Sequence, residues 1–208
     1  MKLLLTILAV VFLIGLVAML IWVFVIQDVE TPAYAVDEED GPFEIRSYPE
    51  LVVAETRRDG VRRDALRRGF SPLARYIFGS DRGGGRIAMT APVSQIALGG
   101  SGETAPPSGP VGWTVRFIMP AEYELRDLPA PGSAAVALRE IPAARRAAVR
   151  FNGVASDDVI AEREHALRAW LAARGLESTG TAEYAYYNDP LTPGFLRRNE
   201  VILDLAAP

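Results

Sequence analysis

The sequence predicts an α+β domain carried behind one transmembrane helix. The domain is expected as a distorted antiparallel β-barrel or curved sheet, built from two pseudo-repeated halves with two helices outside. Three observations predict this. Residues 3–26 form an uncharged apolar run interrupted only by Thr6 and Gly15. Two segments, 61–78 and 156–174, carry apolar residues at helical spacing, and each lies between stretches that read as strands. A Gly-, Ser- and Pro-rich loop at 98–112 then divides the domain into halves of 29–97 and 113–208 with a similar order of elements.

The apolar run defines a first unit, residues 1–28. A helix of about 24 residues is about 36 Å long, enough to cross a bilayer with some tilt. Lys2 precedes the run and Asp28 and Glu30 follow it, so the charge bias puts the N-terminus in the cytoplasm and residues 29–208 outside it. The alternative is export with cleavage near Ala35, because Ala33-Tyr34-Ala35 has the small-x-small form of a cleavage site. Against that, the run exceeds the roughly 7–15 residues of a signal-peptide core, and cleavage would remove Tyr34 from the first strand.

The elements of residues 29–208 follow in order. A tether from 29 ends in a short strand with Tyr34 and Val36, and 37–42 reads as an acidic turn around Asp40-Gly41. Strands are expected at 43–48 and, after Pro49, at 51–57. The helix at 61–78 contains Pro72 and reads as one kinked helix whose stripe is Leu66, Phe70, Leu73 and Ile77, with Gly79 as its stop. A strand broken at Pro92 spans 86–96. Trp113, Val115 and Phe117 alternate through a strand at 113–119, a proline-containing loop covers 123–132, and strands at 135–141 and 144–151 turn at Pro142. Ser156 caps the second helix and Gly175 ends it, with Ile160, Arg163, Leu167, Trp170 and Leu171 as its inner face. Strands at 184–188 and 200–205 close the chain; Val201, Leu203 and Leu205 share a face and Asp204 points away.

Composition excludes several chemistries. The chain has no cysteine, which removes disulfides, thiolate ligation of haem or zinc, and cysteine nucleophiles. A formal net charge of −4 gives no footprint for nucleic acid. No phosphate-binding glycine motif is present; Gly83-Gly84-Gly85 reads as a flexible loop. With one histidine, neither a Ser-His-Asp triad nor a histidine metal cluster can form. Glu44, Glu55 and Glu183 could act as acid or base, but nothing in the sequence singles them out, so the reading leans toward a binder and leaves an enzyme open.

Several short motifs occur in order along the domain: Phe43-Glu44-Ile45-Arg46-Ser47-Tyr48-Pro49, Tyr76-Ile77-Phe78-Gly79, Met89-Thr90-Ala91-Pro92-Val93, Phe117-Ile118-Met119-Pro120, Leu128-Pro129-Ala130-Pro131, Phe151-Asn152-Gly153 and Arg197-Arg198-Asn199-Glu200. Together they resemble the SOUL haem-binding family over nearly all of 31–205. The resemblance implies the two-halved α+β architecture, which is similar to the ligand-binding domains of GyrI-like effector proteins. It also implies haem or a related tetrapyrrole as ligand, bound for sequestration or transfer. A general apolar small-molecule binder of the GyrI-like type is the alternative, and a tetrapyrrole-modifying enzyme is a third.

The candidate site lies on the first domain helix. Phe70, Ala74 and Phe78 form a second apolar line, with Arg67 on the same flank. Periodicity alone reads Phe70 and Phe78 as buried against the sheet and Arg67 as a solvated cation. The resemblance implies haem held against this helix, with Arg67 placed to serve the propionates. Arg197 and Arg198 have two readings as well: an ion pair with Glu200 that locks the last strand, or propionate capture at a pocket rim. His165 lies about 140° from Ile160 and is expected to face solvent. Tyr48, Tyr76, Tyr123, Tyr184, Tyr186, Tyr187, Met89 and Met119 are the other candidate iron ligands. Apolar contact with no strong axial protein ligand is the expectation.

Overall fold

The computed structural model describes residues 2–21, 29–99 and 112–206. Most of the predicted loop 98–112, and residues 22–26 of the apolar run, lie outside the described residues. The elements are α1 (Lys2–Ile21), β1 (Ala35–Asp40), β2 (Phe43–Tyr48), β3 (Leu51–Asp59), α2 (Arg62–Phe78), β4 (Val93–Ala97), β5 (Gly112–Ile118), β6 (Ala137–Ile141), β7 (Ala144–Asn152), α3 (Asp157–Ala172), β8 (Ser178–Tyr186) and β9 (Arg198–Leu205). As described, α1 stops at Ile21, and no helix among the described residues is long and apolar enough to cross a membrane.

The nine strands form one sheet in the order β1-β2-β7-β9-β8-β4-β5-β3-β6, with every ladder antiparallel. Its edges, β1 and β6, do not pair with each other, so the described sheet is open and curved rather than a closed barrel. The order carries an internal symmetry. The unit β2-β3-α2-β4-β5 matches β6-β7-α3-β8-β9, and the two meet where β4 pairs with β8. Each unit lends its first strand to the other: β2 pairs with β7, and β6 with β3. The junction between units therefore falls at 119–136. The 98–112 stretch, expected to separate the halves, instead connects β4 to β5 inside the first unit. Its counterpart in the second unit is 187–197.

Two further expectations are corrected. The acidic stretch from Asp37 is strand up to Asp40, and only Gly41 and Pro42 turn. Its carboxylates have donors to face: Ser47 Oγ donates to Asp37 at 2.8 Å, Arg174 Nε to Glu38 at 2.8 Å, and Trp170 Nε1 to Asp40 at 2.9 Å. The strand expected at 86–96 narrows to β4; upstream of it only Thr90 pairs, in an isolated bridge with Glu30.

Both helices lie over the sheet on apolar clusters. α3 buries Ile160, Leu167, Trp170 and Leu171 against Ile45, Val149, Val201 and Leu203. Its start is as expected: Ser156 Oγ accepts the Val159 N–H at 3.4 Å, with Asp157 and Asp158 in the first turn, where the helix dipole favours acid. Glu164 takes the inward place expected of Arg163, because Tyr184 Oη donates to it at 2.9 Å and Arg168 pairs with it at 2.8 Å.

α2 is one helix through Pro72, but rotated from the expected stripe. Its buried residues include Ala65, Gly69, Leu73, Tyr76 and Ile77, whereas Phe70 is on the rim. The cause is close approach at Gly69. A Cβ there would lie 2.6 Å from Val115 Cγ2 and 3.3 Å from Thr56 Cγ2. The helix backbone settles onto β3 and β5 through its smallest residue, and this turns Phe70 outward.

Candidate functional site

The rotation of α2 decides what the predicted site looks like. Arg67, Phe70, Ala74 and Phe78 share one strip, as expected, but the strip faces outward rather than into the sheet. Phe70 is 39% and Phe78 44% exposed, and the Arg67 side chain is 82% exposed, paired only with Asp64 one turn back at 3.1 Å. Phe70 still touches the core at one edge, where its ring meets Phe117 edge-on with centroids 5.2 Å apart. The Arg86 guanidinium lies 5.6 Å from the Phe78 ring centroid. Contiguous exposed apolar side chains can mark a binding surface, whereas single ones are ordinary; elsewhere Leu191 and Phe195 are also exposed.

Arg197 and Arg198 are engaged elsewhere. Arg197 closes its own loop, Nε donating to the Thr192 carbonyl at 2.8 Å and Nη2 to that of Pro190 at 2.6 Å. Arg198 Nη2 pairs with Glu200 Oε1 at 2.6 Å and stacks 3.9 Å from the Tyr187 ring centroid. The locking role is the one their geometry serves. Sequence reasoning missed the other partner. Arg46, 1% exposed, donates from Nη1 to Glu200 Oε2 at 2.7 Å and from Nη2 to Oε1 at 3.1 Å. Tyr187 Oη donates to the same carboxylate at 2.8 Å. Burial pushes the Glu200 carboxyl up, but the hydrogen bonds and charge of Arg46, with those of Arg198, outweigh it and hold the group below the usual carboxylate range. Local sequence pattern offers no signal for this triad, since β2 and β9 are brought together by the fold.

The candidate iron ligands can be sorted in the same way. His165 is exposed on α3, as expected. Tyr76 Oη donates to the Pro129 carbonyl at 2.9 Å, Tyr184 Oη to Glu164, and Tyr187 Oη to Glu200. Tyr48 and Tyr186 accept from Arg46 and Arg62 at 3.0 and 2.6 Å. Burial pushes all five phenols up, Tyr48 to about 12. Each of the five phenols is engaged in a hydrogen bond within the fold. Met119 is buried and Met89 packs against the α2 cluster. Among the described residues no group of three or more His, Cys, Asp or Glu is arranged to hold a metal ion. The α2 strip is an apolar surface with an open cation beside it.

A cleft of about 310 Å³ is bordered by residues of β4 to β9, Ile96, Arg116, Arg139, Arg146, Glu183 and Ile202 among them. Its cations are paired: Arg116 and Arg139 with Glu55 at 2.9 and 2.6 Å, and Arg146 with Asp204 at 2.8 Å.

Comparison with known proteins adds the following. Residues 29–204 match the family model described as SOUL heme-binding protein. A curated relative, Heme-binding protein 2 of Homo sapiens, is 34% identical over 110 residues, which cover 50% of this chain and 51% of that protein. The match thus spans about half the length of the curated relative. The crystal structure of the EcmrR C-terminal domain superposes with a TM-score of 0.60 at 12% identity, covering 84% of this chain and 99% of the other. A crystal structure described as a hydrolase from Listeria innocua gives 0.56 at 15% identity, covering 82% and 94%. Identities this low speak for the shared fold alone, an α+β domain with a large curved antiparallel sheet.

Proposed function

This chain belongs to the SOUL heme-binding protein family, and from that premise we propose that it binds haem or a related tetrapyrrole for sequestration or handover. The ligand lies against the outward strip of α2. Phe70, Ala74 and Phe78 supply the apolar contact and Arg67 meets a propionate. One observation carries the placement: two aromatic rings stand 39% and 44% exposed on a single helix face beside an arginine whose side chain is 82% open. An apolar macrocycle covering those rings gains roughly 25 cal/mol for each Å² removed from water. In this reading no side chain is assigned to the iron.

We further propose that residues 3–26 anchor the chain in a membrane with the N-terminus cytoplasmic and the domain outside. The support is the uncharged apolar run and the charges flanking it. The second functional reading, a general small-molecule binder, has the cleft as its candidate site, whose lining sets Ile96, Ile141 and Ile202 among Arg116, Arg139, Arg146, Glu183 and Asp204 and so suits a ligand with polar groups as well as an apolar part.

The test is a titration of residues 29–208 with haemin and, in parallel, iron-free protoporphyrin. Saturable one-to-one binding of both is expected, weakened several-fold by Arg67→Glu combined with Phe70→Ala. Binding unchanged by that pair of substitutions moves the site off α2. Binding of haemin but not of protoporphyrin refutes a site that works without iron ligation.

A further inference from the structure

The charge of the chain is unevenly placed. Residues 57–86 hold nine arginines against three aspartates, a surplus of six in a chain whose formal net charge is −4. This segment is the end of β3, all of α2 and the loop after it. The outward face of α2 therefore combines arginine with the exposed rings of Phe70 and Phe78. Arg67 and Arg75 are exposed on the helix, and Arg86 is exposed beside Phe78.

The second observation is where the chain enters the domain. Glu30 is the first residue that pairs with it: the Ala91 N–H donates to the Glu30 carbonyl at 2.8 Å, and Ala121 N–H to Glu30 Oε1 at 2.7 Å. A few residues away, the Ile87 N–H donates to the Ile77 carbonyl at 2.8 Å. The entry point is thus held at Ala91, four residues along the chain from Ile87, which pairs with the last turn of α2. α2 and α3 meet at their N-termini, where Arg62 Nε lies 2.6 Å from Asp157 Oδ1. With residues 3–26 in the bilayer, the four steps from Ile26 to Glu30 reach at most about 14 Å when fully extended.

We infer that the outward face of α2 docks on the anionic surface of a lipid bilayer, with Phe78 and Phe70 entering the headgroup layer and Arg67, Arg75 and Arg86 meeting lipid phosphates. The inference rests on the anchor proposed above, which puts a bilayer within reach, and it shares residues with the tetrapyrrole strip. Charge complementarity selects the occupant: a basic face with protruding aromatics matches anionic headgroups over an apolar interior. Because the residues are shared, lipid and tetrapyrrole occupy this face in turn rather than together.

Because the chain lacks cysteine, the test uses single-cysteine variants of the full chain carrying a nitroxide spin label. Ser71→Cys lies at the centre of the outward face of α2, and Ala172→Cys, at the far end of α3, is the control; both positions are exposed. The chain is reconstituted in phosphatidylcholine nanodiscs with or without roughly one-third phosphatidylglycerol. The expected result is a several-fold loss of accessibility to a water-soluble nickel chelate at position 71 in the anionic discs only. High salt should reverse it, and position 172 should stay open throughout. Equal accessibility at 71 in both lipids overturns the docking. Failure of the chain to remain with the discs at all, read by flotation, refutes the anchor instead. In that case the same label is read on the chain mixed with anionic vesicles, and an open position 71 there overturns the docking too.

Discussion

Replacing Glu200 with glutamine should be among the most destabilising single substitutions in the domain. The carboxylate is fully buried and accepts from Arg46, Arg198 and Tyr187. Glutamine keeps the shape but removes the charge. Arg46, itself 1% exposed, is then left with Glu44, whose side chain is 17% exposed and bonds Nε at 2.7 Å, as its only anion. Breaking a buried pair on one side costs about 3–5 kcal/mol, and for a domain of this size each kcal/mol lowers Tm by about 2–4 °C, so a fall of about 10 °C is expected. The pH dependence has a definite sign. Glu200 titrates below its ordinary value when folded, so its contribution is complete above the unfolded value of about 4.5 and is lost as pH falls through the folded one. The difference between wild type and Glu200→Gln should therefore be largest at neutral pH and shrink in acid. Urea unfolding of both proteins at pH 7 and near pH 4 reads this directly. A difference below about 1 kcal/mol at pH 7 would refute the reasoning, since that is the range of an exposed ion pair. Adding Arg46→Met should recover part of the loss, because the orphaned charge is then gone.

Gly69→Ala should cost about 1–3 kcal/mol despite the better helix propensity of alanine, because its Cβ must displace Val115; Val115→Ala should restore part of the stability in thermal melts. Ser156→Ala should cost about 1 kcal/mol, the typical worth of a helix N-cap, measured by urea unfolding. His165→Ala should leave the Soret band of the haemin complex in place, and a shifted band would mean that this exposed side chain reaches the iron.

The sequence was most readable where one residue type decides an outcome locally. Ser156 and Gly175 bracket α3, and the alternation of Trp113, Val115 and Phe117 identifies β5. Reading failed where the deciding contact is distant. Hydrophobic spacing put Phe70 at the centre of the α2 stripe, because spacing counts large side chains and gives glycine no weight. Helix-to-sheet packing gave Gly69 that place instead. The acidic run from Asp37 read as a turn because its partners, Arg145, Trp170 and Arg174, come from β7, α3 and the turn that follows α3. The strip on α2 was legible as a set of residues, and its outward direction was not. For Arg198 the pairing with Glu200 was visible two residues away, while Arg46, 154 positions distant, was not.

The exchange of first strands between units has a consequence for folding. A pseudo-symmetric domain invites the idea that each unit folds alone and the two then dock. The ladders argue otherwise. Three of the eight cross between units: β2 with β7, β3 with β6, and β4 with β8. Cut between β5 and β6, the first unit would keep β2 with only the charged edge strand β1 beside it, and β3 would lose the neighbour that covers its outer edge. The cut also divides an apolar cluster, taking Leu128 and Val136 from beneath Leu73 and Tyr76. A fragment of residues 29–122 should therefore show no cooperative unfolding by circular dichroism. Mixed with residues 123–208, it should regain the native spectrum, because each fragment supplies the strands the other lacks. A cooperative melt from residues 29–122 alone would mean that the exchanged strands are a late addition to a self-sufficient unit, and that the symmetry describes folding as well as form.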